Sequence, residues 1–259
     1  MNRFDLATLA PEARDRLKSD VLALADSKLV LANWYTMCVH NGRSLPDFAA
    51  ILGMATATFG HTRGLYLYLV NFGIPYTDLE RRRDATGINS MNLLDSPPES
   101  WEDFVASVYL AEQAMWTFAS GFLSHPDRAL SGLVHKIGQE SYFHLKYCEG
   151  WRGIFAGTEN VEFGQAVAQR LPQAAAWFGD SSQNDVLYDA GLRALPATKL
   201  REAFLNEVSA ALQASQIDAK LPDPVPPAAD WTIERRRAGN IPDRLFGIVQ
   251  LKDPAAAYN

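Results

Sequence analysis

The sequence predicts an all-α protein centred on a bundle of four long helices, and three observations lead there. Apolar residues recur at three- and four-residue steps through most of the chain, the period of a helix with one buried face. Alternation at every second residue, the mark of a half-buried strand, is nearly absent. Turn-forming residues, among them Asn41-Gly42, Gly73 with Pro75, and His125-Pro126-Asp127, divide the periodic stretches into segments.

The first segment opens at Pro11, a favoured first helical residue, and runs to about Cys38, where Asn41-Gly42 stops it. The second covers roughly Leu45 to Asn71 and ends at Gly73. The third follows Ser96-Pro97-Pro98, with Ser100 and Asp103 as a capping pair, and reaches about Leu123. A fourth reaches about Ala156, a fifth lies near Val161 to Phe178, and a sixth runs from about Thr198 to Ala214. The first four form two hairpins with short turns, joined by a long irregular connection from about Gly73 to Ser100. Two hairpins and one long crossover are the ferritin-like version of the four-helix bundle. The expected division is a ferritin-like domain over residues 1–219 and an extended tail over 220–259. In that tail Leu221-Pro-Asp-Pro-Val-Pro-Pro227 cannot be helical, and the tail is expected to pack on the bundle or on a partner.

Composition narrows the function classes. The 259 residues are 47% hydrophobic and 21% charged, enough to bury a sizeable core. A net charge of −6 without long single-sign runs argues against nucleic acid. The one basic cluster in a helical stretch, Arg81-Arg82-Arg83, is flanked by Asp78, Glu80 and Asp84 and reads as a solvated helix end. Two cysteines, Cys38 and Cys148, have no paired spacing, so neither a disulfide framework nor a zinc site is suggested. No membrane span and no signal-type apolar stretch is visible, and a cytoplasmic location is expected.

Polar residues stand where a bundle should be dry. In the third helix Val105, Val108, Tyr109, Glu112, Met115, Trp116 and Ala119 share a stripe, which turns Glu112 inward. A lone carboxylate there costs several kcal/mol unless it is paired or bound to a cation. His61 shares a face with Met54, Thr58, Leu65 and Tyr68, and His144 with Val134, Ile137, Ser141 and Cys148. Di-iron carboxylate bundles place a Glu on each of two helices and a Glu-x-x-His on each of the other two. Here the positions three before the histidines are the hydroxyls Thr58 and Ser141, and the first helix offers only Asp26 or the neutral Asn33. Hard iron ions need anionic oxygens, so the donor set is incomplete. The metal candidates are Glu112, His61, His144, Glu140 and Asp26, read as vestigial. Beside that stands a plain structural reading, in which Glu112 bonds His61 or His144 and no metal is needed. On that reading Glu112→Gln is a milder change than Glu112→Ala.

Three stretches resemble the ferritin-like phenylacetate-catabolism family, which forms the core of the multicomponent di-iron phenylacetyl-CoA ring 1,2-epoxidase. They are Asp26-Ser-Lys-Leu-Val-Leu-Ala-Asn33, Phe59-Gly-His-Thr-Arg-Gly-Leu-Tyr-Leu-Tyr68, and Gln139-Glu-Ser-Tyr-Phe-His-Leu-Lys-Tyr147 followed by Gly150-Trp-Arg152. The resemblance spans roughly residues 20–220, and its order and spacing carry more than any single motif. That family has a catalytic subunit and a paralogous structural one. Thr58 and Ser141 stand where the catalytic subunit has the carboxylates of its Glu-x-x-His pairs. Glu140, Ser141 and His144 fall on the structural subunit's pattern, while His61 stands where that subunit commonly has Gln. The tail after Leu221 matches neither.

The resemblance implies a non-catalytic subunit with no catalytic or cofactor-binding residues and no cofactor of its own. Its partners would be the catalytic paralogue and an aromatic acyl-CoA at a shared site, with homo-oligomers as a further option. The alternative is a divergent oxygenase that holds iron in a remodelled site.

Overall fold

The computed structural model describes residues 4–81, 83–158, 161–180, 184–222 and 226–249. Among them there is no strand, and the helices are α1 Pro11–Cys38, α2 Leu45–Leu69, α3 Tyr76–Arg81, α4 Trp101–Ser120, α5 Arg128–Gly157, α6 Val161–Ala176, α7 Val186–Asp189, α8 Ala197–Ala214 and α9 Asp243–Val249. The ends follow local chemistry. The Ser44 and Ser100 hydroxyls accept from the Asp47 and Asp103 amides, and the Asp127 carboxylate accepts from the Ala129 amide. Each satisfies a backbone donor that the first helical turn leaves without a partner. Beyond α2, a short 3-10 turn ends at Gly73, whose φ of 86° is the left-handed geometry that favours glycine.

α1 pairs with α2 and α4 with α5, and the hairpins close through α2 against α5 and α1 against α4. The later helices are unevenly placed: α6 and α8 pack on α4, while α7 and α9 pack on α1. The consequence shows in burial. α4 buries 15 of its 20 residues, whereas α5 buries 8 of its 30. Bidentate pairing of Arg170 with Asp103, at 2.8 and 2.6 Å, fastens α6 to the first turn of α4.

The crossover corrects one expectation. Arg83 is not part of a solvated helix end. Its guanidinium grips the fully buried Asp26 of α1 through two contacts of 2.7 Å and donates to Tyr66 Oη at 2.6 Å. Arg81 is exposed, as expected, and Arg82 lies outside the described residues. The charged flank of the cluster hid the fact that the buried Asp26 requires a cation.

The tail is also more structured than a strap. Residues 223–225 of the Pro-rich stretch and 250–259 lie outside the described residues, and the described neighbours of 223–225 are non-helical. Further on come a tight turn closed by a Thr232–Arg237 bridge and the helix α9. Three successive arginines anchor the turn. Arg235 donates to Asn89 and the Ile88 carbonyl, Arg236 to Asp20 at 2.6 Å, and Arg237 to Ser90 and Asp95. Among the described residues no helix is long and apolar enough to cross a membrane.

Candidate functional site

At the bundle centre Glu112 is fully buried, and its carboxylate accepts three hydrogen bonds. Lys28 Nζ of α1 lies 2.5 Å from Oε2, Tyr35 Oη donates to Oε1 at 3.0 Å, and His144 Nδ1 of α5 is 2.7 Å from Oε1. Lys28 is as buried as its partner, with both side chains at 0% exposure. Burial pushes the Glu112 carboxyl up, but the Lys28 charge and then His144 more than reverse this and hold it well below the usual carboxylate range. One carboxylate against one ammonium forms a charge-balanced pair, with the His144 ring as a further hydrogen-bonding partner.

His61 sits beside this group, its ring centroid 6.3 Å from that of His144. It does not bond Glu112. Its Nε2 meets Glu140 Oε2 at 2.6 Å instead, and its buried Nδ1 has no partner. The network therefore assigns a neutral ring with its proton on Nε2, donated to Glu140. A second proton would place an unpartnered N–H in the core. Burial, then the nearby Lys28 charge, push the His61 pKa down to about 3.

The five sequence candidates are thus divided. Glu112 meets His144 directly; His61 and Glu140 form a neighbouring pair. Asp26 belongs elsewhere, held by Arg83, Tyr66 and the Asn89 amide. It sits two positions before Lys28, and two residues on a helix turn through roughly 200°, so the two side chains leave α1 on opposite sides. The hydroxyls that stand in for carboxylates behave differently from each other. Thr58 donates to the Met54 carbonyl at 2.7 Å, and Ser141 Oγ is buried without a partner.

Sequence reasoning missed Lys28 and Tyr35. The signal was present: Leu24, Lys28, Leu31 and Tyr35 recur at three- and four-residue steps and are all buried. The stripe test that turned Glu112 inward turns Lys28 inward as well. A cavity of about 340 Å³ opens at the end of the bundle between Cys38, Arg43 and Trp101, and none of the five candidates lines it.

The family described as phenylacetic acid catabolic protein matches residues 5–237. The chain belongs to that family. No curated protein sequence matches it as a relative. The bundle core of the family's fold implies a di-iron centre, and the donors here do not fit one. Both Glu112 oxygens are engaged by side-chain donors, an ammonium lies where added cations would need anionic oxygen, and the positions three before His61 and His144 hold the hydroxyls Thr58 and Ser141. Among the described residues no group of three or more His, Cys, Asp or Glu is arranged to hold a metal ion.

Proposed function

We propose that this chain is a non-catalytic, structural member of a multicomponent di-iron monooxygenase acting on phenylacetyl-CoA or a similar aromatic acyl-CoA. It works by pairing with a catalytic ferritin-like paralogue, whose substrate site it helps to shape. The observation that carries this reading is the buried Lys28–Glu112 pair. A carboxylate in a bundle core needs a cation, and in this reading Lys28 supplies from within the chain the positive charge that iron supplies in a catalytic bundle. Thr58 and Ser141 support it, since neither hydroxyl brings the anionic charge that a di-iron centre requires. Family membership supplies the pathway, and the bundle supplies the helix faces for pairing.

A remodelled metal site has one observation in its favour, the two buried polar atoms His61 Nδ1 and Ser141 Oγ that lack partners. An imidazole nitrogen and a hydroxyl bring no negative charge, so neither supplies the anionic oxygen that iron requires.

Turnover of phenylacetyl-CoA with supplied reductant tests the proposal. The comparison is between this chain alone, an iron-loaded family member that retains both Glu-x-x-His pairs, and their mixture. The expected result is no turnover by this chain alone and enhanced turnover by the mixture. Turnover by this chain alone after iron loading contradicts it.

A further inference from the structure

The cavity of about 340 Å³ lies where the end of α1, the turn between α1 and α2, and the start of α4 meet. Small-ligand pockets run from roughly 300 to 1,000 Å³, so it has room for one compact molecule. Much of its lining is aromatic. Trp101 is the first residue of α4, and Phe104 follows three positions on, which puts both on one side of the helix. Their ring centroids stand 5.2 Å apart, and Trp151 meets Trp101 edge-on at 5.1 Å. Cys38 adds a thiol that burial keeps protonated, its pKa pushed up to about 11. Such a lining suits a flat apolar ring.

Two charges of opposite sign line the same cavity, Arg43 and Glu99, and among the described residues neither forms an ion pair. The acid closest to Arg43 in sequence is Asp47, which is already held by Ser44, Tyr147 and Trp151. The Arg43 guanidinium lies instead over the Trp101 ring, 5.7 Å from its centroid. Glu99 donates its backbone amide to Asp103 at 3.0 Å, which leaves its carboxylate uncommitted. A third group points to the same need. Trp101 is only 6% exposed, and its Nε1 is buried without an acceptor, whereas Nε1 of the adjacent Trp151 donates to Asp47. A buried indole N–H ordinarily finds an acceptor.

The cavity therefore offers an aromatic wall, two donors that need an acceptor and a carboxylate that needs a cation. An aromatic α-amino acid carries the complement of each: a ring, a carboxylate and an ammonium. The guanidinium fork matches a carboxylate through two parallel hydrogen bonds. An aromatic acid without the amine would bring a like charge to Glu99, and an aromatic amine without the acid would bring one to Arg43.

We propose that this cavity is a binding site for an aromatic α-amino acid in its zwitterionic form, the carboxylate on Arg43, the ammonium on Glu99 and the ring against Trp101 and Phe104. The inference does not rest on the subunit role argued above. Titration calorimetry and ligand-detected NMR on the full chain test it, with L-phenylalanine as the probe. The comparison ligands are 3-phenylpropionate, which lacks the ammonium, 2-phenylethylamine, which lacks the carboxylate, and L-alanine, which lacks the ring. The variants are Arg43→Met and Glu99→Gln, both at exposed positions, so their melts should match the wild type.

The expected result is saturable binding of one L-phenylalanine per chain, weakened about tenfold or more by each variant. Each comparison ligand should bind at least about tenfold more weakly than L-phenylalanine. No saturable binding of L-phenylalanine by the wild type overturns the proposal. Binding that either variant leaves unweakened also overturns it, because the molecule then sits elsewhere or uses only one of the two charges. Tighter binding of 3-phenylpropionate than of L-phenylalanine, strengthened further by Glu99→Gln, shows a site for simple anions and overturns it too.

Discussion

Glu112 and Asp26 are both fully buried carboxylates, both were candidates for a metal, and the two are neutralised in different ways. Asp26 is gripped from the crossover by the fork of Arg83, with Tyr66 and the Asn89 amide completing its shell. A planar guanidinium suits a fixed carboxylate and gives the long connection one register on α1. Glu112 is served by three donors from within the bundle, one of them a single-point ammonium. The first arrangement ties a loop to a helix. The second neutralises a carboxylate at the centre of the bundle. Burial of a carboxylate alone therefore does not identify a metal site; the nature and origin of the compensating cation does.

The largest effect should come from Lys28→Met. It strands the Glu112 charge in the core, and breaking a buried pair on one side costs about 3–5 kcal/mol. Lys28→Met combined with Glu112→Gln removes both charges and should recover most of that loss, which a double-mutant cycle of urea melts would measure. If the two single losses simply add, the pair is not the coupled unit described here. The same geometry corrects the ordering expected for Glu112. Glu112→Gln keeps the shape, but it orphans the Lys28 charge, so it is no longer a mild change and should fall close to Glu112→Ala.

Arg83→Met should be next, at about 2–3 kcal/mol, since Asp26 keeps two other donors and the Arg83 side chain is partly exposed. Its distinguishing sign is local: amide exchange should quicken over residues 83–91 while α4 and α5 stay protected. Uniform loss of protection across the bundle would erase the distinction between the two carboxylates.

The last effect is in the pH dependence, where it is smallest per pH unit. His61 titrates at about 3 in the folded chain, against 6.5 for a free imidazole. Between those values the unfolded chain binds a proton that the folded one refuses. The stability His61 contributes is thus complete above pH 6.5 and shrinks on acidification, by at most about 1.4 kcal/mol per unit. The Glu112 carboxyl, also depressed, adds a loss that begins below its free value of 4.5. His61→Phe should flatten the profile between pH 6.5 and 4.5, as followed by melts at fixed temperature. An unchanged slope would mean that His61 is charged in the fold.

The helical architecture was legible because long amphipathic stretches repeat one period over many turns. The six predicted segments coincide with α1, α2, α4, α5, α6 and α8 to within a few residues. α3, α7 and α9 are too short to show a period, and they form where long-range contacts hold them. Glu112, His61 and His144 were legible as inward-facing because each interrupts an apolar stripe, whereas only the fold decides which histidine Glu112 meets, by bringing His144 to it. Lys28 was passed over because lysines are expected at surfaces, although its stripe is as apolar as that of Glu112. Arg83 and the three tail arginines were hidden for a related reason. Their partners Asp26, Asn89, Asp20 and Asp95 lie far away in sequence, and only the folded chain brings them together.

The central claim is that the bundle carries its own cation at Glu112 in place of iron. Elemental analysis of the full chain, purified from iron-replete cells and run beside Lys28→Glu, tests it most directly. The account predicts well under one iron per wild-type chain and a denaturant midpoint that a strong chelator leaves unmoved. Close to two irons per wild-type chain, with a midpoint that falls when chelator is added, would contradict it.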